Sequence, residues 1–189
     1  MRKLDGRRPA GGIAALLRDS ASPKADGYVL IGQSDAALVQ QFYLSFSAGQ
    51  RRDRFRVAAT DEAIRGHCAG ICWPATIMAA HRTPSGLQAI VEARTASLSW
   101  DCATLIMACP DLAGREHVLA QLLQLAVFSA GQRGCSHFNL RVDPLSWLVL
   151  PVLANMPAGD AGAELARMIL AGPKPSRAPQ ERDAVLAVM

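Results

Sequence analysis

Aromatic side chains are scarce in this chain, which holds Phe 5, Trp 3 and Tyr 2 among 189 residues. So few rings leave little with which to stack nucleobases, and this argues against nucleic acid as a partner. Long apolar runs are also missing. Thr104 to Ala108 and Leu145 to Leu153 are the main ones, far short of the roughly 20 residues of a membrane-spanning helix. The cysteines number 5, an odd count, and Cys68, Cys72, Cys102, Cys109 and Cys135 sit among apolar neighbours. That excludes the simple disulfide framework of a small secreted domain and suits buried thiols. Cys68 and Cys72 share a helical spacing, but no histidine is placed to complete a zinc set. Standard catalytic phrases are absent too: no G-x-S-x-G elbow, Walker loop, H-E-x-x-H or EF-hand loop occurs. The opening MRKLDGRRPAGGIAALLRDS has an apolar part of only Ile13 to Leu17, with Asp5 and Asp19 around it. It makes a poor secretory signal, and a cytoplasmic location is expected.

What is present suits one folded domain. Hydrophobic residues make up 50% of the chain and mean hydropathy is +0.14, enough for a substantial core at this length. The net charge of +4 is carried largely by MRKLDGRR and by GQRRDRFR, Gly49 to Arg56. There Arg51, Arg52, Arg54 and Arg56 alternate with Asp53 and Phe55, which predicts a solvated helix end or loop.

Periodicity orders the elements. Residues 1–26, rich in Arg, Gly, Ala and Ser, read as a flexible lead-in. Tyr28 to Ile31 predicts a strand. Ser34 is placed to cap a helix from Asp35, with Leu38, Phe42 and Phe46 on its apolar face. Thr60, followed by Asp61 and Glu62, caps a second helix running to about Ile71, with Ile64 and Cys68 buried. Ala75 to His81 and Leu87 to Thr95 predict a hairpin around Arg82 to Gly86. Cys102 to Ala108 is apolar throughout, as in a strand covered on both faces. Val118 to Ala130 reads as a helix burying Leu119, Leu122, Leu123, Ala126 and Val127, ended by Gly131 and Gly134. Ser136 to Val142 alternates as a strand, and Pro144 opens a helix to about Asn155. Ala163 to Leu170 fits an edge strand or a short helix. Residues 171–189, with Pro173, Pro175 and Pro179, read as a tail.

This order predicts an α/β domain over residues 27–170: a central mixed sheet flanked by helices, with Cys102 to Val142 forming a βαβ unit. On a chain of this length it resembles the GNAT (GCN5-related N-acetyltransferase) superfamily, from about Tyr28 to Leu170. The more specific local match is the phrase Leu44-Ser45-Phe46-Ser47-Ala48-Gly49-Gln50-Arg51-Arg52-Asp53-Arg54-Phe55, similar to "LS-x-x-S-R-x-x-R-F", followed by the acidic pair Asp61-Glu62.

The resemblance implies an acyl-CoA-dependent N-acyltransferase that moves an acetyl group from acetyl-CoA to an amine of a small molecule or a protein. It implies a strand, here Ile106, Met107 and Ala108 at its end, whose exposed backbone pairs with the pantetheine arm. It also implies a pyrophosphate loop of the form Arg/Gln-x-x-Gly-x-Gly/Ala, which falls on Gly114-Arg115-Glu116-His117-Val118-Leu119. There the sequence departs from the pattern. His117 and Leu119 stand at the glycine positions, and a shift of register brings Arg115 or Glu116 there instead. Ser146 occupies the position of the superfamily's cofactor-contacting asparagine, and Val149 to Asn155 lacks the tyrosine that protonates the leaving thiolate.

From the residues themselves, Glu92 is the candidate general base, because a carboxylate facing inward from an apolar strand has a raised pKa; alternation equally allows it to face solvent. Cys109, ending the central strand, is the candidate acyl acceptor or proton donor to the leaving group, and as readily a plain small hydrophobe. Trp100 is expected to be a core or rim aromatic, and is the tryptophan placed to line an acceptor groove. The competing reading is a catalytically inactive scaffold of the same fold, acting through a protein partner or as a homodimer.

Overall fold

The computed structural model describes residues 27–57, 59–96, 98–111, 113–141, 144–155 and 184–187. The lead-in, the element expected at 163–170 and residues 171–183 lie outside the described residues.

Strands β1 (Gly27–Ile31), β2 (Thr76–Thr83), β3 (Gly86–Thr95), β4 (Cys102–Ala108), β5 (His137–Leu140) and β6 (Ala184–Ala187) form one six-stranded sheet in sequence order. All neighbours are antiparallel except β4 and β5, which run parallel. A parallel pair needs a crossover, and α4 (Glu116–Gln132) supplies it. Three helices precede the hairpin: α1 (Ala36–Leu44), α2 (Ala48–Phe55) and α3 (Asp61–Ala69); α5 (Pro144–Ala154) follows β5. Among the described residues, no helix is long and apolar enough to cross a membrane.

Alternation along each strand divides the core in two. One face gathers Ala79, Val91, Leu105, Met107 and Phe138 under Leu119, Leu122 and Leu123 of α4 and Val149 and Leu150 of α5. The other gathers Ile31, Met78, Ile90 and Ala108 under Val39, Phe42 and Tyr43 of α1 and Ile64 and Cys68 of α3. Covered on both sides, β4 needs apolar residues throughout, which is why CATLIMA reads as a continuous run.

Several expectations change. The entry to α1 is a 3-10 turn, Gln33–Asp35, in which Asp35 rather than Ser34 bonds the Gly32 N–H at 3.3 Å. The buried stripe of α1 contains Val39 and Tyr43 with Phe42, while Leu38 is only half-buried. The true spacing of Val39, Phe42, Tyr43 and Phe46 is three and four residues, the pitch of a helix, whereas a strict four-residue count drifts off the face. α2 falls where a solvated helix end or loop was expected, since five of its eight residues, Gln50 to Arg54, are polar. Ser47 and Gln50 build its capping box, and Arg56 in the left-handed region (φ 63°) ends it. Gly131 lies inside α4; the stop comes at Gly134, whose φ of 97° suits glycine. Residues 184–187, expected within the tail, pair with β5 as β6.

Candidate functional site

Two polar features stand out. The first lies on the α1–α3 face, centred on Glu92, which is wholly buried. One of its oxygens, Oε1, receives both the Tyr43 hydroxyl and Arg54 Nη2, and Oε2 pairs with Arg94 Nε at 2.5 Å. Arg54 Nη2 also donates to the Tyr43 hydroxyl oxygen at 3.1 Å, and its guanidinium lies 5.0 Å from the Tyr43 ring centre. Arg94 Nη2 lies 3.1 Å from His67 Nε2. α1, α2, α3 and β3 are thereby joined through one ionic cluster.

The electrostatics overturn the expected raised pKa of Glu92. Burial does push it up, but the charges of Arg54 and Arg94 and the hydrogen bonds from Tyr43 and Arg54 outweigh burial, and the carboxyl falls to about 2. A carboxylate held in this way, with no exposure, does not take a proton from an amine near neutrality. Burial, then the charges of Arg94 and Arg54, lower His67 to about 4, so it is a neutral imidazole. Burial chiefly raises the Tyr43 phenol above its ordinary range.

The cluster also corrects the picture of a solvated arginine run. Arg54 is only 6% exposed. Arg51 stitches the turns around α2: Nε donates to the Phe46 carbonyl at 2.9 Å, Nη2 to that of Leu44 at 2.7 Å, and Nη1 pairs with Asp61 Oδ1 at 2.6 Å. Arg52 and Arg56 are exposed, as expected. The phrase from Leu44 to Phe55 thus specifies how three helices are fastened to the sheet.

The second feature is a fork between β4 and β5. Their ladder runs from Cys102↔His137 to Leu105↔Leu140 and stops, with the Arg141 N–H donating to the Leu105 carbonyl at 3.0 Å. β4 continues to Ala108, still paired to β3 through Ile106↔Glu92, Met107↔Val91 and Ala108↔Ile90. A strand's polar groups alternate between its two edges. Since the Leu105 carbonyl faces β5, the N–H and C=O of Met107 face the same side, where β5 has already ended. Ile106 and Ala108 turn theirs toward β3. The Met107 side chain is buried beneath α4.

The loop after the fork leads straight to the N-terminus of α4. Arg115 is the cap position and makes no side-chain cap. Leu119 N–H bonds the Arg115 carbonyl at 3.0 Å, which leaves the N–H groups of Glu116, His117 and Val118 as the helix's first-turn donors. Gly114 precedes them in the left-handed region (φ 73°), with open space where a Cβ would stand. The side chain of Leu119 points into the core, His117 is exposed, and Val118 packs partly against the core. Arg115 turns back to β3, with Nη1 on Gln88 Oε1 at 3.0 Å.

Other predicted site residues are placed differently. Cys109 is buried, its thiol 3.1 Å from the Asp111 carbonyl oxygen, and burial raises its pKa, so it stays a neutral thiol. Ser146 is the third residue of α5. Trp100 is 4% exposed, donates to the Pro74 carbonyl at 3.3 Å and is stacked by Arg133 at 4.8 Å, and so belongs to the core. A cleft of about 190 Å³ bordered by His67, Cys72, Thr76, Arg94 and Thr95 opens where β3 ends, away from the fork. Among the described residues, no group of His, Cys, Asp and Glu is arranged to hold a metal ion.

No protein-family model and no curated protein matches this sequence. Solved structures do match in shape. RimL, a ribosomal L7/L12 α-N-protein acetyltransferase in complex with coenzyme A, superposes with a TM-score of 0.50 at 15% identity, over 71% of this chain and 81% of that one. The GNAT domain of S. lividans PAT gives 0.49 at 17% identity, over 71% and 85%. The ribosomal-protein-S18-alanine N-acetyltransferase from Escherichia coli gives 0.45 at 13% identity, over 78% and 77%. The fold is therefore the GNAT fold, as the sequence resemblance implied. At this identity the likeness concerns the fold.

Proposed function

We propose that this protein is an acyl-CoA-dependent N-acyltransferase whose co-substrate lies in the β4–β5 fork. The observation that carries the reading is the early end of the β4–β5 ladder at Leu105, which among the described residues leaves the Met107 edge without a neighbouring strand, directly before a helix N-terminus with no side-chain cap. Acetyl-CoA presents two matching parts, an amide-bearing pantetheine arm and a diphosphate. Met107 offers one N–H and one C=O to the arm as a neighbouring strand would. The amides of Glu116, His117 and Val118, with the dipole of the 17-residue α4 behind them, face the diphosphate.

The residues present fit this group despite the missing glycines. Leu119 places its side chain in the core, so it does not crowd the phosphates, and Gly114 leaves the approach clear. Glu116 opposes the fit, because its carboxylate stands in the same first turn. Arg115 is occupied by Gln88, which leaves the backbone amides as the main donors. Ser146, in the first turn of α5, is a further proposed contact, while Ile106 and Ala108, whose backbone groups face β3, leave the pairing with the arm to Met107.

Bound there, acyl-CoA supplies a thioester whose C–S bond breaks as a C–N bond forms to the acceptor. The chain's part is to hold and orient it. Glu92 is committed to Arg54 and Arg94, and in this reading it fixes the fork's floor; the acceptor's proton goes to solvent. Cys109, just past the end of β4, is a neutral thiol at rest, and in this reading it is the group near the leaving sulfur that passes it a proton, which solvent then restores. The acceptor is an amine of a small molecule or of a protein.

A non-catalytic scaffold is the second reading, favoured by Glu116 in the anion-binding turn and by the absence of any tyrosine from α5. Calorimetric titration with acetyl-CoA and CoA separates the two. Micromolar binding is expected; no binding at millimolar ligand would establish the scaffold reading in its place.

A further inference from the structure

We infer that α2 is a brace across the β4–β5 fork, and that Gln50 and Arg141 are the positioning residues that set the fork's opening. The helix is fastened at three points. Gln50 Nε2 donates to the carbonyl oxygen of Pro110, two residues beyond the end of β4. Arg141, the first residue beyond β5, donates from Nη2 to the Asp53 carbonyl at 2.7 Å. Between them Arg54 reaches down to Glu92 on β3. One eight-residue helix therefore holds the exit of each arm and is itself pinned to the strand behind.

The spacing explains why a helix does this. Gln50 and Asp53 are three residues apart, about 4.5 Å along a helix axis, a distance that cannot stretch while α2 keeps its hydrogen bonds. Past Leu105 no ladder bond joins β4 to β5, and α2 carries the connection instead. Arg141 is suited to it by register. Phe138 and Leu140 face the α4 side, so Asn139 and Arg141 face the α2 side. Gln50 serves twice: its Oε1 accepts the Ser47 N–H at 2.7 Å as part of the capping box, while its Nε2 is left to donate to Pro110. For the acyl-CoA reading, on which this part rests, the brace holds the Met107 edge and the α4 N-terminus at a fixed separation before any ligand arrives, so less ordering is left to binding.

The dual use of Gln50 supplies a clean variant. Gln50→Glu keeps an acceptor for the capping box, as glutamate does at this position, yet has no donor for Pro110. Arg141→Gln releases the other arm. Amide hydrogen exchange on the ligand-free protein reads the fork directly through the Arg141 N–H, which bonds the Leu105 carbonyl at its crotch. In each variant, exchange of the backbone amide at position 141 is expected to quicken by roughly five- to tenfold, the equivalent of one hydrogen bond, while Ile90 to Ala93 of β3 keep their protection. Unchanged exchange at that amide overturns the brace. So does a rise spread equally over β3, which would mean general loosening. A second arm compares CoA affinity: weakening by a similar factor supports the positioning role, and equal affinity despite a loosened fork overturns it. Failure of the wild-type chain to bind CoA counts against the proposed function, and the exchange measurement still decides the brace.

Discussion

The Glu92 cluster on β3 and the β4–β5 fork are neighbours across the sheet, with Glu92 opposite Ile106 of β4, yet they treat polar groups in opposite ways. Around Glu92 a buried carboxylate is met by Arg54, Arg94 and Tyr43, and the region is closed. At the fork, one residue further along β4, the backbone of Met107 has no neighbouring strand among the described residues, and three helix amides follow without a side-chain cap. The contrast teaches where to seek binding. A charged residue in the core signals fastening when its partners are present; an unfinished ladder signals a place kept for something else.

Removing Glu92 should have the largest effect. Glu92→Ala leaves the buried Arg54 without its counter-charge, and unfolding free energy is expected to drop by roughly 3–5 kcal/mol in urea titrations. Binding at the fork should survive under conditions where the variant remains folded. A loss below about 1 kcal/mol would show that the cluster is not the fastening it is taken to be.

Acid should act through the same cluster. Glu92 folds with its pKa lowered from an ordinary 4.5 to about 2, so its contribution is complete above 4.5 and is lost as pH falls toward about 2. His67 folds with its pKa lowered from 6.5 to about 4; the unfolded chain takes up the proton more readily, so stability falls as pH drops from 6.5 toward 4. Both signs agree. Urea midpoints at pH 7, 5.5 and 4 should decline steadily, and His67→Gln should flatten the upper part of that decline.

Tyr43→Phe removes one donor to Glu92 while leaving both arginines. A loss of roughly 1–3 kcal/mol is expected, because the phenol serves a buried charge. At the fork, Glu116→Gln should leave stability nearly unchanged and tighten CoA binding a few-fold, roughly the 0.3–1 kcal/mol of a charge at a helix terminus. Least of all should come from Asp61→Ala. Its pair with Arg51 is half open to solvent on the Asp61 side, and a change within about 1 kcal/mol is expected in thermal melts.

Much of the architecture was legible because β4, α4 and the hairpin follow strong rules. CATLIMA is apolar at every position because both faces of the sheet are covered, and the stripe of Leu119, Leu122, Leu123 and Ala126 has helical pitch. α2 was not legible in that way. Its polar composition hid a helix held by a capping box and by Arg54, whose charge is buried only because Glu92 arrives from 38 residues further along the chain. The same long-range pairing, with Arg94 two residues along the strand, reversed the expected pKa of Glu92: its immediate neighbours Val91 and Ala93 are apolar, and the cations that lower it come from α2 and from the same face of β3. β6 was hidden for a related reason. Four small and aliphatic residues after a proline-rich stretch take on strand character only beside β5. At the fork, the stretch from Gly114 to Leu119 could be placed between a strand and a helix, but that Leu119 turns into the core while His117 stays exposed became visible only with α4 packed on the sheet.

The most direct measurement follows the backbone amides of the ligand-free protein by NMR as CoA is added. Saturable shifts centred on Met107, Glu116, His117 and Val118, with Ile64 and Cys68 of α3 left in place, are the predicted result. Shifts confined to other surfaces, or none at millimolar CoA, would contradict the assignment of the fork as an acyl-CoA site.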